Sequence, residues 1–338
     1  MSRLTNLLKA SEIHNNIKSI ILSNLDTNMT LIEFRNHIHN LILTELDKLT
    51  DILSISKGLA FPIGLSADCI VAHYTPIKLS NNEYLPYYLN PQSKLSEFKI
   101  LKVDYGIQIE GNIIDKAFSI NICNNVLISK LIEGSSEAVT KIKHAIGVDV
   151  RLNELADMGR EIVESYEFND KPLKIVENIY SHNVEEWKIH GDKFIRPDYS
   201  QYNEDYKVSE GEQYAIEIYV SNGCGKGKLV ENPSIHSHYR LKKTHNALFF
   251  EDSLNKMIEF TNDKLKGLPF CPNIINSYNF KINKKKPSHP KIVSICQMLQ
   301  SNDIMESYPP IIECDESSYV AQIEEDVFIN DSETTIFV

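Results

Sequence analysis

The chain opens on two stretches with helical spacing of apolar residues. Residues 10–25 read as one helix. Residues 30–49 read as a second: Leu31, Phe34, Ile38, Leu41, Ile42 and Leu46 recur three or four apart, and Thr30 with Glu33 has the form of a capping box. The texture then changes. Residues 59–76 mix Gly, Pro and short apolar runs, which predicts strand and turn. Residues 99–122 alternate Val and Ile with polar residues about Glu110-Gly111-Asn112, which predicts a β-hairpin. Two helices should follow, at about 126–146 and 150–166. Gly147 stands where the first would stop, the usual residue past a helix end. Strand-like segments return over 173–222, around Lys188–Gly191 and Gln213–Val220. Between 240 and 310 come a helical stretch from Asp252 to Leu265, a turn, a basic loop at Lys284, Lys285 and Lys286, and a helix at about 290–300. These predict a small helical insertion. Residues 318–330 read as a last strand. Helices placed before a hairpin, with no regular βαβ alternation, predict an α+β fold.

Composition narrows the function class. With 338 residues, 42% of them hydrophobic and 24% charged, the chain is long and apolar enough to fold around its own core. The net charge of −11 argues against a protein that grips DNA or anionic lipid, and it suits a metal site built from carboxylates. The N-terminus has no signal-peptide pattern, and no run of about 18 apolar residues predicts a membrane span. Six cysteines without a CxxC pair predict reduced, mostly buried thiols and a cytoplasmic setting.

Four acids stand out against this background. Asp104 and Asp115 lie on either side of the hairpin turn, where adjacent strands can present them to one face. Glu217 sits in Tyr214–Tyr219 and Glu324 follows Val320–Ile323, both apolar strand segments. Any one of them fits a solvated strand face. Four together, in segments that should be buried, are costly unless paired or bound to metal. His73, His182 and His190 add imidazole. An oxygen-rich set with one imidazole suits Mn, Co, Fe or Zn, and carboxylates can bridge two ions.

The segments Ala60–Pro76, Leu101–Ile120, His182–Gly191, Glu210–Gly227, Ser237–Lys243, Leu268–Cys271, Tyr308–Pro310 and Tyr319–Asp326 resemble, in order and spacing, the type 2 methionine aminopeptidases. The resemblance covers about residues 10–330. It implies the pita-bread fold: one catalytic domain over 1–330, two pseudo-symmetric α+β halves around the metals, a type 2 helical insertion at about 240–310, and a C-terminal tail at 331–338. It implies two divalent metal ions, with Asp104 chelating one, Asp115 and Glu324 bridging, and His182 and Glu217 holding the second. It implies that His73 lies beside the scissile amide and is the histidine alkylated by fumagillin-type inhibitors. His190 would hydrogen-bond the substrate carbonyl, and Glu217 would carry the proton from water to the leaving amine. Phe61, Ile189, His238 and Tyr308 would form the methionine pocket. The implied partners are nascent polypeptide N-termini with a small second residue, a transient contact with the ribosome is expected, and the family leans monomeric. The competing expectation is a catalytically inactive pita-bread protein that binds ribosome or RNA, a kind marked by lost ligands. The chain departs from the family at Tyr180, Ser181, Ile218, Pro269 and Glu325, none of them a ligand position.

Overall fold

The structure is a computed structural model that describes residues 2–49, 56–78, 85–198, 206–242, 251–278, 280–331 and 335–338. Residues 243–250 and 279 of the expected insertion, and 332–334 of the expected tail, lie outside the described residues.

The first helix, Arg3–Ser23, begins upstream of the expected 10–25, because Leu4 and Leu7 already carry its apolar stripe into the core. Ser2 caps it, its Oγ accepting the Thr5 N–H at 3.3 Å. The second helix, Leu31–Asp47, has the expected capping box: Glu33 N–H donates to Thr30 Oγ1 at 3.3 Å, and Thr30 N–H donates to Glu33 Oε2 at 2.8 Å.

The hairpin pairs Ile100–Ile109 with Asn112–Asn121. Its two-residue turn, Glu110-Gly111, has φ of 52° and 76°, the left-handed pair that matches the twist of the flanking strands. The Trp187 indole covers the turn so closely that a Cβ on Gly111 would come within 2.2 Å of Nε1.

The main sheet runs in the order Lys57–Leu59, Ile100–Ile109, Asn112–Asn121, Val320–Ile329, Gln213–Ser221, Ser181–Val184, Phe194–Ile195. Side-chain alternation divides its two faces. One face carries Val103, Tyr105, Ile107, Ile114 and Phe118, which pack under the first two helices. The same face continues as Ile216, Ile218, Val220 and Val327 under the helices Val126–Ala145 and Leu152–Glu164. The other face carries the acids. Two helix pairs thus cover one side and leave the opposite side for the site. Where the two halves meet, Glu325 points to the helix side. Its carboxylate lies 3.3 Å from Lys116, 3.8 Å from Lys18 and 3.8 Å from Lys143, so it ties helices of both halves.

The insertion has a core of its own, with Met257, Phe270, Ile292, Ile295 and Leu299 buried together. Its first helix, Asp252–Phe260, continues as a wider π turn over Thr261–Leu265 and ends at Lys266 and Gly267, both with positive φ. Its second helix is His289–Ser301. The strands His238–Leu241 and Met305–Tyr308 form its neck, with His238 opposite Tyr308.

Four expectations change. The third helix ends at Ala145, because Ile146 turns extended and Gly147 does not take the left-handed form. Lys188–Gly191 is a turn beyond the Ser181–Val184 strand, held by an isolated bridge between Glu185 and Lys188. Only Cys69, Cys271 and Cys296 are buried; Cys123, Cys224 and Cys314 are exposed, and all six are free. Thr335–Phe337, in the segment read as a tail, adds a short strand beside Val327–Ile329.

Gly111→Ala tests the turn. It adds a methyl where the indole sits and needs positive φ, so urea unfolding should show a loss of about 1–3 kcal/mol. An unchanged midpoint would show that Trp187 does not fix the hairpin.

Candidate metal and active site

The sheet register builds the site. Asp104 stands opposite Ala117, Ala117 opposite Glu324, and Glu324 opposite Glu217. Three carboxylates therefore line up across four strands, and the small Ala117 leaves room between two of them. Two residues along, Asp115 stands opposite Gly106, and His182 stands opposite Ala215. All five side chains belong to one face of the sheet.

One cavity of about 70 Å³ gathers them. Its lining includes every position singled out in the sequence: Asp104, Asp115, His182, Glu217 and Glu324, then His73 and His190, then Phe61, Ile189, His238 and Tyr308. It also includes Ile179, Tyr219 and Pro269. Ligand atoms of Asp115, His182 and Glu324 all lie within 4.8 Å of one another. His182 Nε2 is 3.6 Å from Asp115 Oδ2.

Burial dominates the electrostatics. It pushes the Asp104 carboxyl up to about 7 and the Glu217 carboxyl up to about 8, with Asp104 adding to the latter. Asp115 and Glu324 rise well above the carboxylate range, from burial first and then from the neighbouring acids. Asp104 Oδ1 is buried with no hydrogen-bond partner. Among the described residues, no lysine or arginine forms an ion pair with any of the four. A patch of acids this crowded, with Asp115 and Glu324 buried and Asp104 and Glu217 half-buried, is the donor set a divalent cation would satisfy.

The histidines are in the form that binds metal or donates one hydrogen bond. Burial lowers His73 to about 4 and His182 to about 4, and it takes His190 and His238 well below their usual value. The His182 and His190 rings meet edge to face at 4.3 Å. His73, also on the cavity wall, holds φ of 62°, a left-handed conformation uncommon for a residue other than glycine. Its ring lies 5.7 Å from that of His238 and 5.8 Å from that of Tyr308.

Sequence reasoning missed three residues. Tyr219 lines the cavity and hydrogen-bonds Glu217. Gln322 donates to Glu324 Oε2 at 3.3 Å and also reaches Asp104. Asp326, a fully buried carboxylate, accepts the Asp115 N–H at 2.7 Å, and burial pushes it up to about 7. Each lies two residues from a predicted ligand on the same strand, so strand alternation was the available signal.

Residues 5–255 match metallopeptidase family M24. The chain belongs to this family. It is 30% identical over 329 residues to the methionine aminopeptidase 2 of Sclerotinia sclerotiorum, spanning 95% of this chain and 67% of that one. The same identity and coverage hold for the methionine aminopeptidase 2 of Botryotinia fuckeliana. Among solved structures it resembles a thermophilic Arx1 (TM-score 0.79, 15% identity, 99% of this chain and 90% of that one). It also resembles the methionine aminopeptidase of Thermotoga maritima (TM-score 0.61, 15% identity, 99% and 95%). At that identity the two structures speak to the fold, which is the pita-bread fold of the M24 metallopeptidases. No helix among the described residues is long and apolar enough to cross a membrane.

The raised carboxyls set a pH dependence for the metal-free protein. An acid whose pKa is higher folded than unfolded stabilises the fold below its unfolded pKa, and that stability is lost as pH rises through the folded pKa. With Asp104 at about 7 and Glu217 at about 8, melting in EDTA should move to lower temperature between about pH 4 and pH 8. Added Mn²⁺ should raise the melting temperature most at the alkaline end, because ligands must shed protons to bind it. A flat EDTA profile would show that the acids are not dry.

Proposed function

We propose that the chain is a methionine aminopeptidase that removes the N-terminal methionine from polypeptides with a small second residue. The observation that supports this most is the single cavity that holds five acid and imidazole donors, two further histidines and an apolar pocket together. The relatives named methionine aminopeptidase 2, similar along nearly the whole chain, point the same way.

Asp104, Asp115, His182, Glu217 and Glu324 would hold two divalent ions, with Asp115 and Glu324 shared between them. Bound there, such ions supply a water acidic enough to attack at neutral pH and positive charge beside the reacting carbonyl. Glu217 takes the proton of the attacking water and delivers it to the leaving amine. His190, neutral and with one N–H to give, donates to the oxygen of the first peptide carbonyl as it gains charge. His73 stands beside the scissile amide. Phe61, Ile189, His238 and Tyr308 receive the thioether side chain. Nascent chains in the cytoplasm, met by a monomer in transient contact with ribosomes, are the setting this reading implies. An inactive ribosome- or RNA-binding protein of the same fold is less well supported, since such a protein has no need to keep every donor position filled.

Metal-loaded protein should release methionine from Met-Ala-Ser with Mn²⁺ or Co²⁺; silence under every divalent metal tried sinks the reading. Asp115→Asn should abolish release, because a neutral amide cannot be shared between two dications. Near-normal turnover would show that the shared position is elsewhere. Mass spectrometry of protein treated with fumagillin should find one covalent adduct, and His73→Ala should lack it.

A further inference from the structure

A second cavity, of about 1010 Å³, adjoins the first and shares Ile189, His190 and Pro269 with it. The insertion forms one wall, through Ile258, Asn262, Lys266 and Gly267. The turn from Trp187 to Asp192 forms the other. Its charge runs against that of the chain. Lys188, Arg240, Lys242 and Lys266 line it, against Asp192 and Glu306, an excess of two cations in a protein whose net charge is −11. The two acids are already engaged. Arg240 Nε donates to Glu306 at 2.6 Å, Tyr308 donates to the same oxygen at 2.8 Å, and Lys188 Nζ meets Asp192 at 2.8 Å. Lys242 pairs with Asp303, which is not part of the lining. Lys266 is exposed, and it makes no ion pair with any described residue.

We infer that this groove receives the substrate polypeptide beyond its second residue and favours acidic side chains there. The inference rests on the aminopeptidase reading for the direction of the chain. If the first carbonyl sits at His190, the chain that continues past it leaves through the cavity His190 shares. An extended chain advances about 3.3–3.6 Å per residue, so each residue past the second carries it further along the groove that the lysines line. There Lys266, with Lys242 beside it sharing its charge with Asp303, attracts carboxylates and repels lysines, while Trp187 and Phe194 offer apolar contact to the aliphatic parts.

The test compares Met-Ala-Ser-Glu-Glu-Glu, Met-Ala-Ser-Lys-Lys-Lys and Met-Ala-Ser on the Mn²⁺-loaded protein at low salt. The acidic peptide should exceed the basic one in kcat/KM by on the order of threefold, the scale of one exposed charge contact. That ratio should fall toward one in about 0.5 M NaCl. Lys242→Glu combined with Lys266→Glu should reverse it. A ratio at or below one, or a ratio indifferent to salt and to the double substitution, overturns the groove while leaving the aminopeptidase reading intact if Met-Ala-Ser is still cleaved. Should Met-Ala-Ser not be cleaved, the aminopeptidase reading fails on its own account. Fluorescence anisotropy with labelled acidic and basic peptides then decides the groove separately: tighter binding of the acidic peptide, lost in the double variant, supports it, and equal binding overturns it.

Discussion

Carrying several carboxylates into one dry patch is the constraint the rest of the molecule answers to. Asp104, Asp115, Glu217, Glu324 and Asp326 share one face of a sheet; Asp115, Glu324 and Asp326 are buried, and Asp104 and Glu217 are half-buried in the cavity wall. Leaving such groups charged and unpaired costs several kcal/mol each. The fold offsets that cost elsewhere. Both helix pairs bury their apolar stripes on the opposite face of the same sheet, so the strands that hold the acids are the ones most firmly packed from behind. The acids themselves are a liability without a cation. Under the proposed metal site the same residues would couple stability to metal affinity.

The departures from the type 2 pattern fall around this patch, and each has a physical use. Ser181 Oγ donates to the Glu217 carbonyl at 2.9 Å and accepts the Glu217 N–H at 3.0 Å, which pins the strand bearing His182 to the strand bearing Glu217. A glycine there could not make that tie. Glu325 follows Glu324 and so points to the helix side, where Lys116, Lys143 and Lys18 outweigh the upward push of burial and hold its carboxyl below the usual value. Tyr180 hydrogen-bonds Asp198 at 3.0 Å, and Arg196 lies over its ring. Ile218 packs into the core behind Glu217. Pro269 forms part of the wall between the two cavities.

Much of this was legible in the chain because strands and caps leave local marks. The capping box at Thr30 and Glu33, the hairpin about Glu110 and Gly111, and acids embedded in apolar strands are all local signals. The resemblance then supplied what periodicity cannot, which distant strands pair. What stayed hidden was set by non-local register. Tyr219, Gln322 and Asp326 matter only because Val320–Ile329 pairs with Gln213–Ser221 on one side and the hairpin on the other. The end of the third helix was misread for a similar reason: Gly147 is permitted a left-handed cap, but Ile146 leaves the helix extended and buries itself in the second core before the glycine is reached.

The position of Val320–Ile329 has a bearing on how the molecule comes into being. This strand sits between the hairpin and Gln213–Ser221, so it closes the sheet across both halves, yet it follows both of them in the chain. Until it inserts, Asp115 sits on an unpaired edge with Asp104 one strand behind it, and Glu217 sits on another, with neither Glu324 nor a common floor between them. Pairings of such long sequence separation form late and slowly. A growing chain therefore has no complete donor set to load with metal until this strand has been made and has paired. Until then the two edges of the gap are exposed strands in need of shelter from other chains.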